Sequence, residues 1–219
     1  MQIAWGKSLF FILGLAIFAL LIWLLEVTVF IGWAELDWLF QFHYSIFFIG
    51  ALTIGAYLLP FYNTGRFPTQ RLFSAGIELY FVALAAYFLE KALLLTLYNR
   101  FYGLLNNQNW LFVMQGITLI ITALSFHLVT QRWLTPLRWQ QALVVGGCIL
   151  LPIPLSLFTL QFIPDFGGND TFVDAVKMGY PFFWIVIMMG LAGIWSLQLI
   201  KSTEPAPTQD DILDDFPKE

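Results

Sequence analysis

Between Leu9 and Leu25 the chain runs seventeen residues without a charged side chain, and five further apolar stretches follow it. About 20 apolar residues coiled as a helix match the hydrocarbon thickness of a bilayer. Hydrocarbon offers no hydrogen bonds to a backbone, and a helix satisfies its own N–H and C=O groups within one segment. A barrel would read as strands of roughly ten residues with alternating polarity, whereas these runs are continuous. The expected fold is therefore all-α: a polytopic integral membrane protein, a bundle of six transmembrane helices over residues 1–200, with 201–219 as an acidic, disordered tail. The first run is too long for the apolar region of a signal peptide, about 7–15 residues, and reads as a retained helix.

The predicted spans are Ser8–Ile31, Ser45–Tyr62, Leu72–Tyr98, Trp110–Val129, Ala142–Ile163 and Pro181–Ile200. Pro181 opens the last one, where a missing N–H costs no helical hydrogen bond. Gly65 and Pro68 mark the connector 63–71 as a turn, and Arg132, Trp133, Arg138 and Trp139 place the connector 130–141 along the headgroups. Basic residues gather in cytoplasmic loops. With the N-terminus inside, Lys7, Arg66, Arg71, Arg132, Arg138, Lys201 and Lys218 share one side, against Arg100 and Lys177 on the other. Both termini are thus expected in the cytoplasm, and the compartment is a bacterial cytoplasmic (inner) membrane.

Only 11% of residues are charged, against about 25% in soluble domains, so each charge inside a span stands out. A charge at mid-bilayer costs about 2.5–3.5 kcal/mol on insertion scales and calls for a partner or a task. Glu26, Glu90 and Lys91 fall at similar depth, which suggests that one of the two acids pairs with Lys91 and ties span one to span three. Glu78 stands alone near the inner third of span three. Tyr80, Tyr87 and Lys91, with Leu94 and Tyr98, share one face of that span, and Gln115, Thr118, Thr122 and Ser125 recur every three or four residues on span four. Hydroxyls and amides gain nothing from lipid, so these stripes read as glue between helices or as the lining of a hydrated pathway. Pro152 and Pro154, preceded by Gly146 and Gly147, should bend or break span five. Gly190 and Gly193 on span six, and Ala51 and Gly55 on span two, permit close helix approach within a monomer or between subunits.

Other chemistry is sparse. His43 and His127 fall at opposite faces, which does not suit a bis-histidine haem. Glu35, Asp37 and His43 cluster in one connector without a recurrent metal-binding spacing. Cys148, the only cysteine, excludes an intrachain disulfide and reads as a small hydrophobe. There is no phosphate loop, nucleophile elbow or HExxH, no basic patch for nucleic acid, and no cofactor is expected. In the tail, Asp211, Ile212, Leu213 and Phe216 lie on an incipient amphipathic helix framed by aspartates, suited to a basic-rimmed groove on a cytoplasmic partner. Besides the lipid bilayer, a protein partner or a homo-oligomer in the membrane is therefore expected. The leading expectation is a non-enzymatic membrane-embedded subunit, scaffold or regulator of a larger complex. The alternatives are a small transporter or channel component with a pathway along the Glu, Lys, Tyr, Thr and Gln residues above, and an intramembrane enzyme acting on a lipid or quinone.

Overall fold

Apolar runs become long helices; Gly65 and Pro68 fall between two of them and Pro152 opens another, while Pro60 lies within one. The computed structural model describes residues 5–31, 44–101, 107–135, 137–162 and 170–203, and among these the regular structure is all helical. The helices are α1 (Trp5–Leu25), α2 (Tyr44–Asn63), α3 (Thr69–Phe101), α4 (Asn107–Trp133), α5 (Trp139–Leu150), α6 (Pro152–Leu160) and α7 (Asp170–Thr203), and a π-helical segment, Glu26–Ile31, extends α1. The expected turn after α2 is present. Gly65 takes φ +62°, a conformation that strains a side chain, and its N–H donates to the Tyr62 carbonyl at 3.1 Å. The Pro68 carbonyl then accepts from Arg71 and Leu72, closing the first turn of α3.

Five stretches are long and apolar enough to cross a membrane: Gly6–Thr28, Tyr44–Asn63, Thr69–Leu89, Trp139–Leu160 and Ala175–Ile200. This is the architecture of a multi-pass integral membrane protein. The surface agrees with an apolar solvent, since Phe10, Phe73, Phe81, Phe112, Leu157 and Phe162 are each more than 60% exposed. In water such a surface would be an aggregation liability; in lipid it is the solvated face.

Packing runs from α2 to α3, α4, α5, α7 and back to α2, a ring, with α1 in the groove between α2 and α7 and α6 against α7. Tyr57 of α2 meets Phe126 of α4 edge-on across the ring, with ring centroids 4.9 Å apart. Around them Phe61, Leu79, Val129, Leu134, Val145, Met189 and Leu197 form the main core. A second cluster, Ala16, Ala19, Trp23, Ile49, Ala56 and Val186, sits where α1 meets α2 and α7.

Lipid tails are as apolar as leucine, so helices associate through close backbone approach and polar contacts. α7 supplies the approach. A Cβ on Gly193 would run into the backbone of Tyr57, and one on Gly190 would lie 2.6 Å from the Ile12 side chain. These two glycines therefore serve contacts within the chain. Ala51 and Gly55 are exposed on the outside of α2, and nothing lies within 4 Å of a Cβ built on Gly55.

One local expectation needs correction. α7 starts at Asp170, so Pro181 lies inside the helix and not in its first turn, which leaves the Lys177 carbonyl without its usual donor four residues on. At the paired prolines span five divides into α5, ending at Leu150, and α6, starting at Pro152, with Leu151 between them. Leu151 keeps right-handed helical angles (φ −57°, ψ −33°), donates to Gly147 at 3.0 Å and accepts from Leu155 at 3.2 Å. Of the two glycines before the prolines, Gly146 seats α5 on the α4 backbone, since a Cβ there would sit 3.2 Å from Ala123 N and Leu119 O.

Candidate functional site

The registers of the helices bring one set of ends together. Asn63 Nδ2 donates to Ser8 Oγ at 2.9 Å, joining the end of α2 to the start of α1. Ile12 faces Gly190 and Trp23 faces Gly179, so α1 and α7 run antiparallel and α7 finishes beside the start of α1. The ends of α2, α4 and α7 and the starts of α1, α3 and α5 thus form one end of the bundle. It carries Lys7, Arg66, Arg71, Arg132 and Arg138, all exposed.

Glu78 is not alone, contrary to expectation. The Trp133 indole N–H donates to Glu78 Oε2, and Arg132 Nη1 lies 3.4 Å from Oε1. The guanidinium also stacks over the Trp133 ring at 5.3 Å. The carboxylate side chain is 31% exposed and the arginine 67%, so the ion pair is screened and the indole contact is the more sheltered. Together they tie α3 to the last turn of α4. These partners lie more than fifty residues along the chain, and only the antiparallel α3–α4 pairing brings them together.

Glu26 begins the π-helical segment, and its Oε2 accepts the Ser45 backbone N–H at 3.0 Å. Early amide N–H groups of a helix lack intrahelical acceptors and carry partial positive charge; a carboxylate from the π-helical segment therefore caps α2. Ser45 Oγ beside it is buried without a hydrogen-bond partner among the described residues. The backbone of Glu90 and Lys91 is helical, and their side chains lie outside the described residues. The expected tie between span one and span three through Lys91 falls there, while α1 itself packs on α2 and α7.

The stripe on α4 faces the ring. Gln115 and Thr122 are eleven and four residues before Phe126, which at about 100° per residue places them on its side of the helix, pointing toward α2, with Thr118 at the edge. All three are half-buried, whereas Phe126 is 5% exposed. Tyr87 is half-buried and edge-on to Phe88; Tyr80 lies beside Gly50 of α2. The Glu78–Trp133 register puts Tyr87 within about a turn of Thr122 and leaves Tyr80 about two turns nearer the basic end. The two stripes therefore overlap in depth at Tyr87 and not at Tyr80, but Tyr87 is nine residues, about 180°, from Glu78 and lies away from the face of α3 that meets α4.

Several ties were not legible as such. Tyr57 hydroxyl lies 3.4 Å from Ser196 Oγ, which in turn donates to the Ala192 carbonyl at 2.7 Å. The Trp23 indole donates to the Ala175 carbonyl at 3.0 Å, joining α1 to α7, and the Trp184 indole donates to Thr159 Oγ1 at 3.2 Å, joining α7 to α6. The signal available was an indole or phenol inside an apolar run, which needs an acceptor when buried. His127 sits between the Leu137 carbonyl (Nδ1, 3.0 Å) and Gln131 Nε2 (Nε2, 3.0 Å), edge-on to Trp139; it fastens the end of α4 to the start of α5. Among the described residues no three His, Cys, Asp or Glu side chains gather as a metal requires. Glu35, Asp37 and His43, and the tail residues Asp211, Ile212, Leu213 and Phe216, lie outside the described residues. No protein-family model, curated protein or solved structure matches this chain.

Proposed function

We propose that the chain is a six-span membrane protein, with both termini cytoplasmic in a bacterial inner membrane, acting as a non-enzymatic subunit, scaffold or regulator of a larger complex. The observation that carries this reading is the use made of Glu26 and Glu78. Each carboxylate is engaged in holding helices together, one as a cap and one as an indole and guanidinium acceptor. A coupling acid in a pathway would be kept open to a substrate or a proton. α4 is the sixth span: its 27 residues extend about 40 Å as a helix. The five exposed cations at one end support the cytoplasmic assignment of that end. On α3, Phe73, Ile77, Phe81 and Phe88 expose one apolar face, available to a membrane partner, while the acidic tail reaches a cytoplasmic one. The test is recovery in mild detergent of the full chain and of a chain lacking residues 204–219. A defined set of co-purifying proteins lost on deletion is expected; identical recovery contradicts the tail's part in this reading.

A second reading, a transporter or channel component, is favoured by the half-buried Gln115, Thr118 and Thr122 on the ring-facing side of α4. Thr122→Cys and Thr118→Cys, in a Cys148→Ser background, distinguish the two. Rapid modification by a membrane-impermeant thiol reagent supports a wet pathway, and protection supports interhelical glue.

A further inference from the structure

We propose that the acidic tail, residues 204–219, docks on the basic end of its own bundle. The register argument above places the last described residue of α7, Thr203, at the end that displays Lys7, Arg66, Arg71, Arg132 and Arg138. At this end the Glu78 carboxylate is already held by Arg132 and Trp133. The tail carries the complementary charge: Glu204, Asp210, Asp211, Asp214, Asp215 and Glu219, against Lys218 alone. This placement follows from helix direction within the bundle and holds whichever side of the membrane that end occupies.

Reach and concentration favour the chain's own tail over a separate molecule. Sixteen residues behave as a coil of about 20–24 Å root-mean-square length. Helices packed 8–10 Å apart make the end of a five-helix ring about 20 Å across, so every cation is within range. A tether of this length corresponds to a millimolar effective concentration. Tyr62 and Trp139, exposed at the same end (59% and 43%), offer apolar ground for Ile212, Leu213 and Phe216.

The inference concerns the purified chain alone, so it stands or falls separately from the scaffold reading. The experiment is a spin-label distance measurement between Gln70→Cys and Lys218→Cys on the full chain, in a Cys148→Ser background, in phosphatidylcholine nanodiscs. A narrow short-distance component is expected. It should be lost when Asp210, Asp211, Asp214 and Asp215 are changed to Asn, which leaves the bundle untouched, and equally when Arg71→Gln is combined with Arg138→Gln. It should also be lost in about 0.5 M salt, where screening lengths fall to a few ångström. A broad coil-like distribution in the unmodified chain overturns the proposal and leaves the basic face to lipid headgroups. A narrow component that survives both neutralisations overturns it as well.

Discussion

An intramembrane carboxylate is tolerated when its oxygens are occupied, and the kind of occupant dictates how it responds to substitution. Glu26 accepts a backbone N–H, so Glu26→Gln, which keeps an acceptor, should be nearly silent. Glu26→Leu should destabilise by about 0.5–2 kcal/mol, the range for a lost helix cap, read as a lower thermal midpoint in detergent. Equal effects of the two changes would mean that charge, not capping, is what the site needs. For Glu78 the sheltered partner is the indole. Trp133→Phe should cost about 1–3 kcal/mol, since it strands a charged acceptor, while Arg132→Gln should stay within about 1 kcal/mol, as exposed ion pairs do. A ranking in the opposite order would show that the guanidinium dominates.

Among elements, the α7 glycines decide which helices meet. Gly193→Ala sets a methyl against the Tyr57 backbone, which has no rotamer by which to yield, so a loss of about 1–3 kcal/mol from overpacking is expected. Gly55→Ala faces open space and should fall within about 0.5 kcal/mol of the parent. Thermal unfolding of the two variants side by side checks this, and equal losses would deny that the α2–α7 crossing is the tight one. The same contrast shows what the sequence could and could not reveal. Span positions were legible because apolar length is a local property, and Gly190 and Gly193 were recognisable as close-approach residues. Their partners, Ile12 and Tyr57, depend on which helix lies opposite, which no local pattern encodes. Pro181 was misread for a related reason: it is tolerated inside α7 because the helix continues on both sides of it, so a proline that suits a first turn does not by itself mark one.

At the scale of the molecule, the expected all-helical class matches the structure, in which five stretches have the length and apolarity to cross. The sixth depends on α4, whose Gln115, Thr118, Thr122, Ser125 and His127 dilute its apolar character. The ring explains why such a helix suits its place, since one face looks inward toward Tyr57 and α2. Charge asymmetry was readable from composition along the chain, yet the engagement of Glu78 with the same basic end was not, because it needs the α3–α4 hairpin closed. Sided labelling of single cysteines in intact vesicles tests the six-span bundle most directly, with Gln70→Cys and Gln140→Cys on either side of the α3–α4 pair and Lys177→Cys at the far end of α7. Gln70→Cys and Gln140→Cys should react from one face and Lys177→Cys from the other. Reaction of Gln70→Cys and Gln140→Cys from opposite faces would mean that α4 does not cross, and the six-span account would fail.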